Sequence, residues 1–289
     1  MAWMDQRINY GLNYISSFCQ LNFHGFCNMN IDLTNKNALI GGSSQGIGLA
    51  IAQRLASSGA NVTLMARNES ALRKAVNELD QSKGQNHQFL IVNFSDYNGF
   101  SIQIDEYFKK NNIDILVNNT QGPPPGKALE KEINDYQTAF DLLFKCAIHT
   151  TSLAIRNMKN QSWGRVINVS SISVKEPLNN LVLSNSLRAA IVTWAKSLSI
   201  DMAEFNITIN NILTGFFDTE RLNQLSTAKA KQQGKTISEV NNEIKSMIPM
   251  KRLGKVEEYA NLVCFLASEQ SAYITGTNIP IDGGVLRSF

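Results

Sequence analysis

The chain has 289 residues, 43% of them hydrophobic and 18% charged, with a net charge of +3; that suits one large α/β domain, or one domain plus a tail. The charge is too small and too dispersed for a nucleic-acid partner, and no apolar run is long enough to span a bilayer. The four cysteines, Cys19, Cys27, Cys146 and Cys264, are scattered and read as reduced thiols of a cytoplasmic protein.

Residues 1–30 form an N-terminal arm of different character. The arm mixes Asn, Tyr, Phe and Cys with few charges, and it lacks the basic start and compact apolar core of a signal peptide. Two readings stand. Met29 is the true start, because ordered α/β sequence begins just after it at Ile31-Asp32-Leu33; or the arm covers a neighbouring subunit. Cys19, His24 and Cys27 lie close together, but no fourth ligand follows at zinc-like spacing, so no metal site is expected.

The stretch 38–59 organises the rest. An apolar run, Ala38-Leu39-Ile40, ends in glycine, and Gly42, Gly46 and Gly48 follow at G-x-x-x-G-x-G spacing. Helical spacing then takes over through Ile47, Ala50, Ile51 and Leu55. Strand, glycine turn and helix together make a phosphate site: glycines allow φ > 0 and close approach of a ligand, and the first helical turn offers free N–H groups. Gly42, Ser44, Gln45, Gly46, Ile47 and Gly48 are the candidate contacts to a dinucleotide. The alternative is a glycine-rich turn with no ligand.

The next apolar run, 61–66, predicts a second strand. A dinucleotide fold meets the adenosine ribose at that strand's end. Ala66 and Arg67 stand there instead of an acid, which favours NADP(H) over NAD(H); the alternative is a solvated surface arginine. A helix is predicted over 69–81 and a third strand over 88–94, where Asn93 is placed to meet the adenine amino group and Asp96 to cap the next helix. A fourth strand over 113–117 leads into Asn118-Asn119 and the rigid loop Pro123-Pro124-Pro125-Gly126. One long helix is predicted over 135–158, a fifth strand over 165–169, a helix over 184–203 and a sixth strand over 207–213. Residues 219–246 are polar, too charged for core, and read as part of a mobile lid at 220–250. A helix over 257–267 and a strand over 277–281 complete an α/β chain. The alternation predicts a parallel seven-stranded sheet with helices on both faces.

These motifs resemble the short-chain dehydrogenase/reductase family, specifically its 3-oxoacyl-acyl-carrier-protein reductase-like members. The resemblance covers 32–284. It rests on the glycine motif, Asn118-Asn119, Val169-Ser170-Ser171, Thr214-Gly215-Phe216-Phe217-Asp218-Thr219, Arg252-Leu253-Gly254, and Ile274-Thr275-Gly276 before Asp282-Gly283-Gly284. It implies a single Rossmann-type, doubly wound domain and a nicotinamide cofactor. It also implies a homotetramer or homodimer built from the helices over 135–158 and 184–203. Asn118 is then expected near the cofactor ribose and Thr219 at the nicotinamide carboxamide.

The family reduces a carbonyl with a serine, a tyrosine, a lysine and an asparagine. Ser171 fits the serine. The tyrosine position is Ser184, the lysine position Arg188 and the asparagine position Leu143. An aliphatic hydroxyl is a far weaker acid than a phenol, and arginine keeps its proton. Arg188 therefore reads as cofactor binding without proton relay. Lys175, just past Ser171, is the candidate proton donor, since a lysine shielded from water is competent for that step; the alternative is a surface lysine paired with Glu176. Tyr136 reads as packing. The expected activity is NADP(H)-dependent reduction of a ketone, such as a 3-oxoacyl thioester, by catalytic residues Ser171, Lys175, Ser184 and Arg188. The alternative is a cofactor-binding sensor or scaffold subunit without catalysis.

Overall fold

Short apolar runs alternate with helices along the chain, so each strand returns through a crossover and the sheet is parallel. The computed structural model describes residues 31–288. The strands β1 (Asn37–Gly41), β2 (Asn61–Ala66), β3 (Gln88–Ile91), β4 (Ile115–Asn118), β5 (Gly164–Val169), β6 (Ile207–Thr214) and β7 (Asn278–Ile281) form one sheet in the order β3-β2-β1-β4-β5-β6-β7. The helices are α1 (Gly46–Ser57), α2 (Glu69–Asn77), α3 (Tyr97–Phe108), α4 (Ile133–Ala139), α5 (Cys146–Asn160), α6 (Val182–Met202), α7 (Glu220–Gln233), α8 (Ile237–Met247) and α9 (Val256–Leu266). This is the Rossmann-type fold expected from the sequence. Strand order reverses between β1 and β4, and at such a switch point a crevice opens beyond the carboxyl ends.

Register arranges the side chains in layers. Leu39, Leu116, Val166 and Ile209 stand opposite one another on β1, β4, β5 and β6. They share a core with Phe100 and Ile104 of α3, Ile155 of α5, and Leu187 and Ile191 of α6. Side chains alternate across a strand, so Ile40, Val117 and Ile167, equally buried, face the other way. Helices α1 and α9 pack against each other outside that first core.

Three expectations need correction. The third strand stops at Ile91 rather than Phe94: Val92 still donates to the Ala66 carbonyl, but the chain then turns at Asn93, whose Oδ1 accepts from the Ser95 N–H. The helix expected over 135–158 is broken. Between α4 and α5 the backbone runs as a π turn, Phe140–Lys145, in which the Cys146 N–H reaches back to the Asp141 carbonyl. The stretch expected to be too charged for core folds as α7 and α8 around a small core of Ala230, Val240, Ile244 and Ile248, with Phe216 and Leu253 against it. Its few apolar residues recur at helical spacing, and one shared stripe suffices to join two helices. Lys229 also reaches Glu243 at 3.1 Å, and Lys235 pairs with the same carboxylate.

One layer nearer the carboxyl ends, the same sheet face turns from apolar to amide. Asn118, Asn168, Asn211 and Asn278 stand in register on β4 to β7. The Asn118 Nδ2 donates to the Asn168 Oδ1 at 2.9 Å, the Asn168 Nδ2 to the Asn211 Oδ1 at 2.9 Å, and the Asn211 Nδ2 to the Asn278 Oδ1 at 2.8 Å. Asn168 and Asn211 are buried, whereas Asn278 is exposed. The net gain per bond is small, about 1 kcal/mol, but an interior rung left unpaired costs about 1–3 kcal/mol. The ladder therefore acts chiefly by forbidding other registers. Asn168→Leu or Asn211→Leu is expected to lower stability by about 2 kcal/mol or more, and Asn278→Leu by under about 1 kcal/mol. Urea unfolding checks this; equal losses at inner and end rungs would contradict it.

Candidate active site

The switch-point crevice is built from backbone first. Gly42 and Gly46 hold φ of +54° and +58°, a region side chains rarely adopt. A Cβ on Gly48 would lie 2.3 Å from the Gly42 carbonyl oxygen, and one on Gly41 would lie 2.2 Å from that of Asn119. The turn is thus pressed against both α1 and the loop after β4. The Asn119 Nδ2 braces it by donating to the Gly41 carbonyl at 3.0 Å.

Helices α2, α3 and α7 start with side-chain caps from Asn68, Asp96 and Thr219. Helix α1 does not. Gln45 gives it no cap, and no acid stands in its first turn. Its leading N–H groups are open donors at a positive helix end, which is a site for an anion. Ser44, Gln45 and Ile47 line the exposed side of this turn. Across from it, the Thr219 methyl lies 3.8 Å from where a Gly46 Cβ would be. The residues present fit a bound pyrophosphate: at Gly41 and Gly48 the cradle has room only for backbone, and no side chain among the described residues caps its donors.

At the end of β2, Arg67 is exposed and has no hydrogen-bond or ion-pair partner among the described residues. Asn93 is exposed too, but its carbonyl oxygen is already engaged by Ser95.

The crevice continues between β4 and β5, walled by Asn118, Thr120, Leu143, Cys146, Val169 and Arg188. Asn118 spends both amide hydrogens inward, on Asn168 and on Thr151 of α5 at 2.9 Å. Its Oδ1 is left as an acceptor on the crevice wall. Leu143 sits in the π turn and is buried against the same wall. π turns occur often at functional sites.

Helix α6 carries Leu183, Leu187 and Ile191 into the core at four-residue spacing. Ser184 and Arg188, one position on, therefore share the neighbouring stripe. The Arg188 Nε donates to the Ser184 Oγ at 3.2 Å and its Nη1 to the Val169 carbonyl at 2.5 Å. Its Nη2 has no acceptor among the described residues. Burial holds this guanidinium below its ordinary range, the buried Tyr259 phenol opposes that, and the like charge of Arg221 adds to it.

Ser171 caps the short 3-10 turn Ile172–Val174, where its Oγ accepts from the Ser173 N–H at 3.1 Å and keeps its own proton free. Lys175 closes that turn, half-buried and with no ion-pair partner among the described residues. It does not pair with Glu176, which instead accepts at 2.8 Å from the backbone N–H groups of Arg287 and Ser288 in the C-terminal tail. The structure thus joins Ser184 to Arg188 and Arg188 to the end of β5. It does not hydrogen-bond Ser171 to Lys175. Tyr136 packs at the core edge, as expected.

Sequence reasoning misses Arg221, which reaches from α7 to the loop after β4. It also misses the amide ladder, although one asparagine at matching depth in four strands was a readable signal. The Cys19, His24 and Cys27 group lies outside the described residues. Among the described residues no helix is long and apolar enough to cross a membrane, and no cluster could hold a metal. Burial pushes the Cys146 thiol up to about 12. Iodoacetamide at about pH 8 is therefore expected to leave it unmodified in the native protein, read by peptide mass; rapid alkylation would contradict its burial.

Residues 42–286 match the family model described as Enoyl-(Acyl carrier protein) reductase. The chain is 32% identical over 261 residues to the NADPH-dependent reductase BacG of Bacillus subtilis (strain 168), covering 89% of this chain and 100% of that protein. It is 31% identical over 258 residues to the 3-oxoacyl-[acyl-carrier-protein] reductase FabG of Chlamydia muridarum (strain MoPn / Nigg), again covering 89% and 100%. Among solved structures, the L-sorbose reductase of Gluconobacter frateurii complexed with NADPH and L-sorbose superposes with a TM-score of 0.84 at 28% identity, covering 90% of this chain and 100% of that one. With the glycine cradle, the switch-point crevice and these relatives together, the chain belongs to the short-chain dehydrogenase/reductase family, among its 3-oxoacyl-acyl-carrier-protein reductase-like members.

Proposed function

We propose that this protein is an NADP(H)-dependent reductase that converts a ketone to the hydroxy compound with a proton donor other than tyrosine. The observation that carries the reading is the uncapped glycine cradle at the switch point, beside an arginine with no partner at the end of β2. The relatives named NADPH-dependent reductase BacG and FabG support it.

In this reading the α1 N–H groups and Gly42 to Gly48 hold the pyrophosphate, with Thr219 closing the other side. Arg67 binds the 2′-phosphate, since a free guanidinium suits phosphate and the neighbouring acid, Glu69, is already paired with Arg73. The Asn118 Oδ1 and Arg188 Nη2 offer an acceptor and a donor to ribose hydroxyls. When bound, NADPH supplies the hydride. The free Ser171 proton polarises the carbonyl oxygen, and the unpaired Lys175 ammonium gives the proton to the developing alkoxide. Ser184 accepts from the Arg188 guanidinium and orients it rather than acting as acid, because an aliphatic hydroxyl is a far weaker acid than a phenol.

A second reading keeps the cofactor and omits the chemistry. Leu143 and Ser184 at the positions of the family's asparagine and tyrosine favour it.

Arg67→Glu is expected to weaken NADPH binding about tenfold or more, the loss of a charge-assisted contact, and to leave NADH binding within about twofold. NADPH fluorescence reads this; equal losses for both cofactors would contradict the 2′-phosphate role. Ser171→Ala and Lys175→Met are each expected to lower kcat for a reduced ketone about a hundredfold at unchanged NADPH affinity. If Lys175→Met keeps full turnover, the proton comes from elsewhere. If no ketone or oxoacyl thioester oxidises NADPH at all, the second reading replaces the first.

A further inference from the structure

We propose that the crevice holds a carboxylate, between Arg188 and Arg221, and that the substrate is therefore a free oxo acid rather than a neutral ketone. This deepens the reductase reading and rests on it for the position of the ketone.

Arg221 stands in the first turn of α7, yet its side chain leaves that helix. Its Nη2 donates to the Pro123 carbonyl at 3.2 Å, and the guanidinium lies over Gly122, where a Cβ would sit 3.3 Å from Nη2. The run Pro123-Pro124-Pro125 stiffens that loop, and this one bond ties the otherwise exposed Arg221 side chain to it. Its Nη1 and Nε have no acceptor among the described residues. Arg188 approaches the root of the same loop, walling the crevice with Asn118 and Thr120, and its Nη2 carries two N–H groups, one for a ribose hydroxyl in the reading above and one for a carboxylate. Two guanidinium groups thus approach one loop with unused donors.

Among the described residues no carboxylate pairs with them. Glu176 is taken by the tail N–H groups, Asp282 by the N–H groups of Gly284 and Leu286, and Glu258 by Arg252 in a two-point pair. The effect of Arg221 on Arg188 is repulsive. Like charges near each other, a half-buried Arg188 and an exposed Arg221, each with free N–H groups, are relieved by an anion, and the planar fork of arginine fits a carboxylate. The dinucleotide's own phosphates have separate places, at the α1 N-terminus and at Arg67. A small acid whose carboxylate meets the two arginines could present its ketone toward the Ser171 turn, at the end of the strand to which Arg188 is tied.

The test uses calorimetry on the protein loaded with NADP+, with 2-oxooctanoate and 3-oxooctanoate as probes against their methyl esters. At least one acid is expected to bind about tenfold or more tightly than its ester, the size of a charge-assisted contact. Arg221→Gln should erase that difference, Arg221→Lys should restore part of it, and both should bind NADP+ as the parent does. Equal binding of acid and ester by the parent would overturn the proposal. So would a loss of NADP+ affinity in Arg221→Gln, which would hand the anion to the cofactor. Binding is read without turnover, so a protein that prefers the acids but never oxidises NADPH would keep the carboxylate site and discard the reductase reading alone.

Discussion

Four side-chain amides in register fasten the carboxyl ends of β4 to β7, and the crevice stands on them. Below that level the same face is Leu116, Val166 and Ile209, which would tolerate a slipped strand almost as well as the native pairing. Apolar contact is undirected. An amide is directed: each Nδ2 must meet the next Oδ1, and a buried rung that misses leaves two orphaned groups. The ladder converts a greasy sheet into one register. It also fixes the face that Asn118 turns to the crevice, because both hydrogens of that amide are committed inward. Packing, register and site are one argument here.

With Ser184 and Arg188 read at the positions of the family's tyrosine and lysine, the site built on that footing differs from the family pattern in acidity rather than in charge. Where a phenol and an ammonium would stand, there are an aliphatic hydroxyl and a guanidinium bonded to each other. Arg188 is anchored through Val169 to the strand end that carries Ser171, so its position is fixed by backbone rather than by a flexible chain. Two acids of the loops and helices beyond the sheet are turned to structural tasks. Glu176 holds the C-terminal tail and Glu258 holds Arg252. What remains open is cationic: the α1 N–H groups, Arg67, Arg188, Arg221 and Lys175. Such a surface suits anions and, in the proposed reading, a developing alkoxide, with Lys175 as the source of the proton.

Much of this was legible in the chain. Gly42, Gly46 and Gly48 announce the cradle, because only glycine fits two left-handed positions and a 2.3 Å approach to a carbonyl. Alternating apolar runs announce the sheet. Asp96 announces a cap and makes one. What stayed hidden is long-range. Nothing local marks Arg221, since its role depends on a loop 98 residues away. The π turn at Leu143 leaves the helical pattern of 135–158 nearly intact on paper, yet it re-aims the side chains after it. The core of α7 and α8 was obscured by composition: Lys, Gln and Asn dominate the stretch, and Val240 and Ile244 count only once the two helices meet.

A crystal structure with NADP+ bound tests the central claim most directly. The account expects the pyrophosphate on the α1 N-terminus and the 2′-phosphate at Arg67. It expects ribose hydroxyls between the Asn118 Oδ1 and Arg188 Nη2, and the Ser171 hydroxyl and Lys175 ammonium on the open side of the nicotinamide. A nicotinamide that faces only Leu143 and its apolar neighbours, with Ser171 and Lys175 turned away, would contradict it and leave a protein that binds the cofactor without using it.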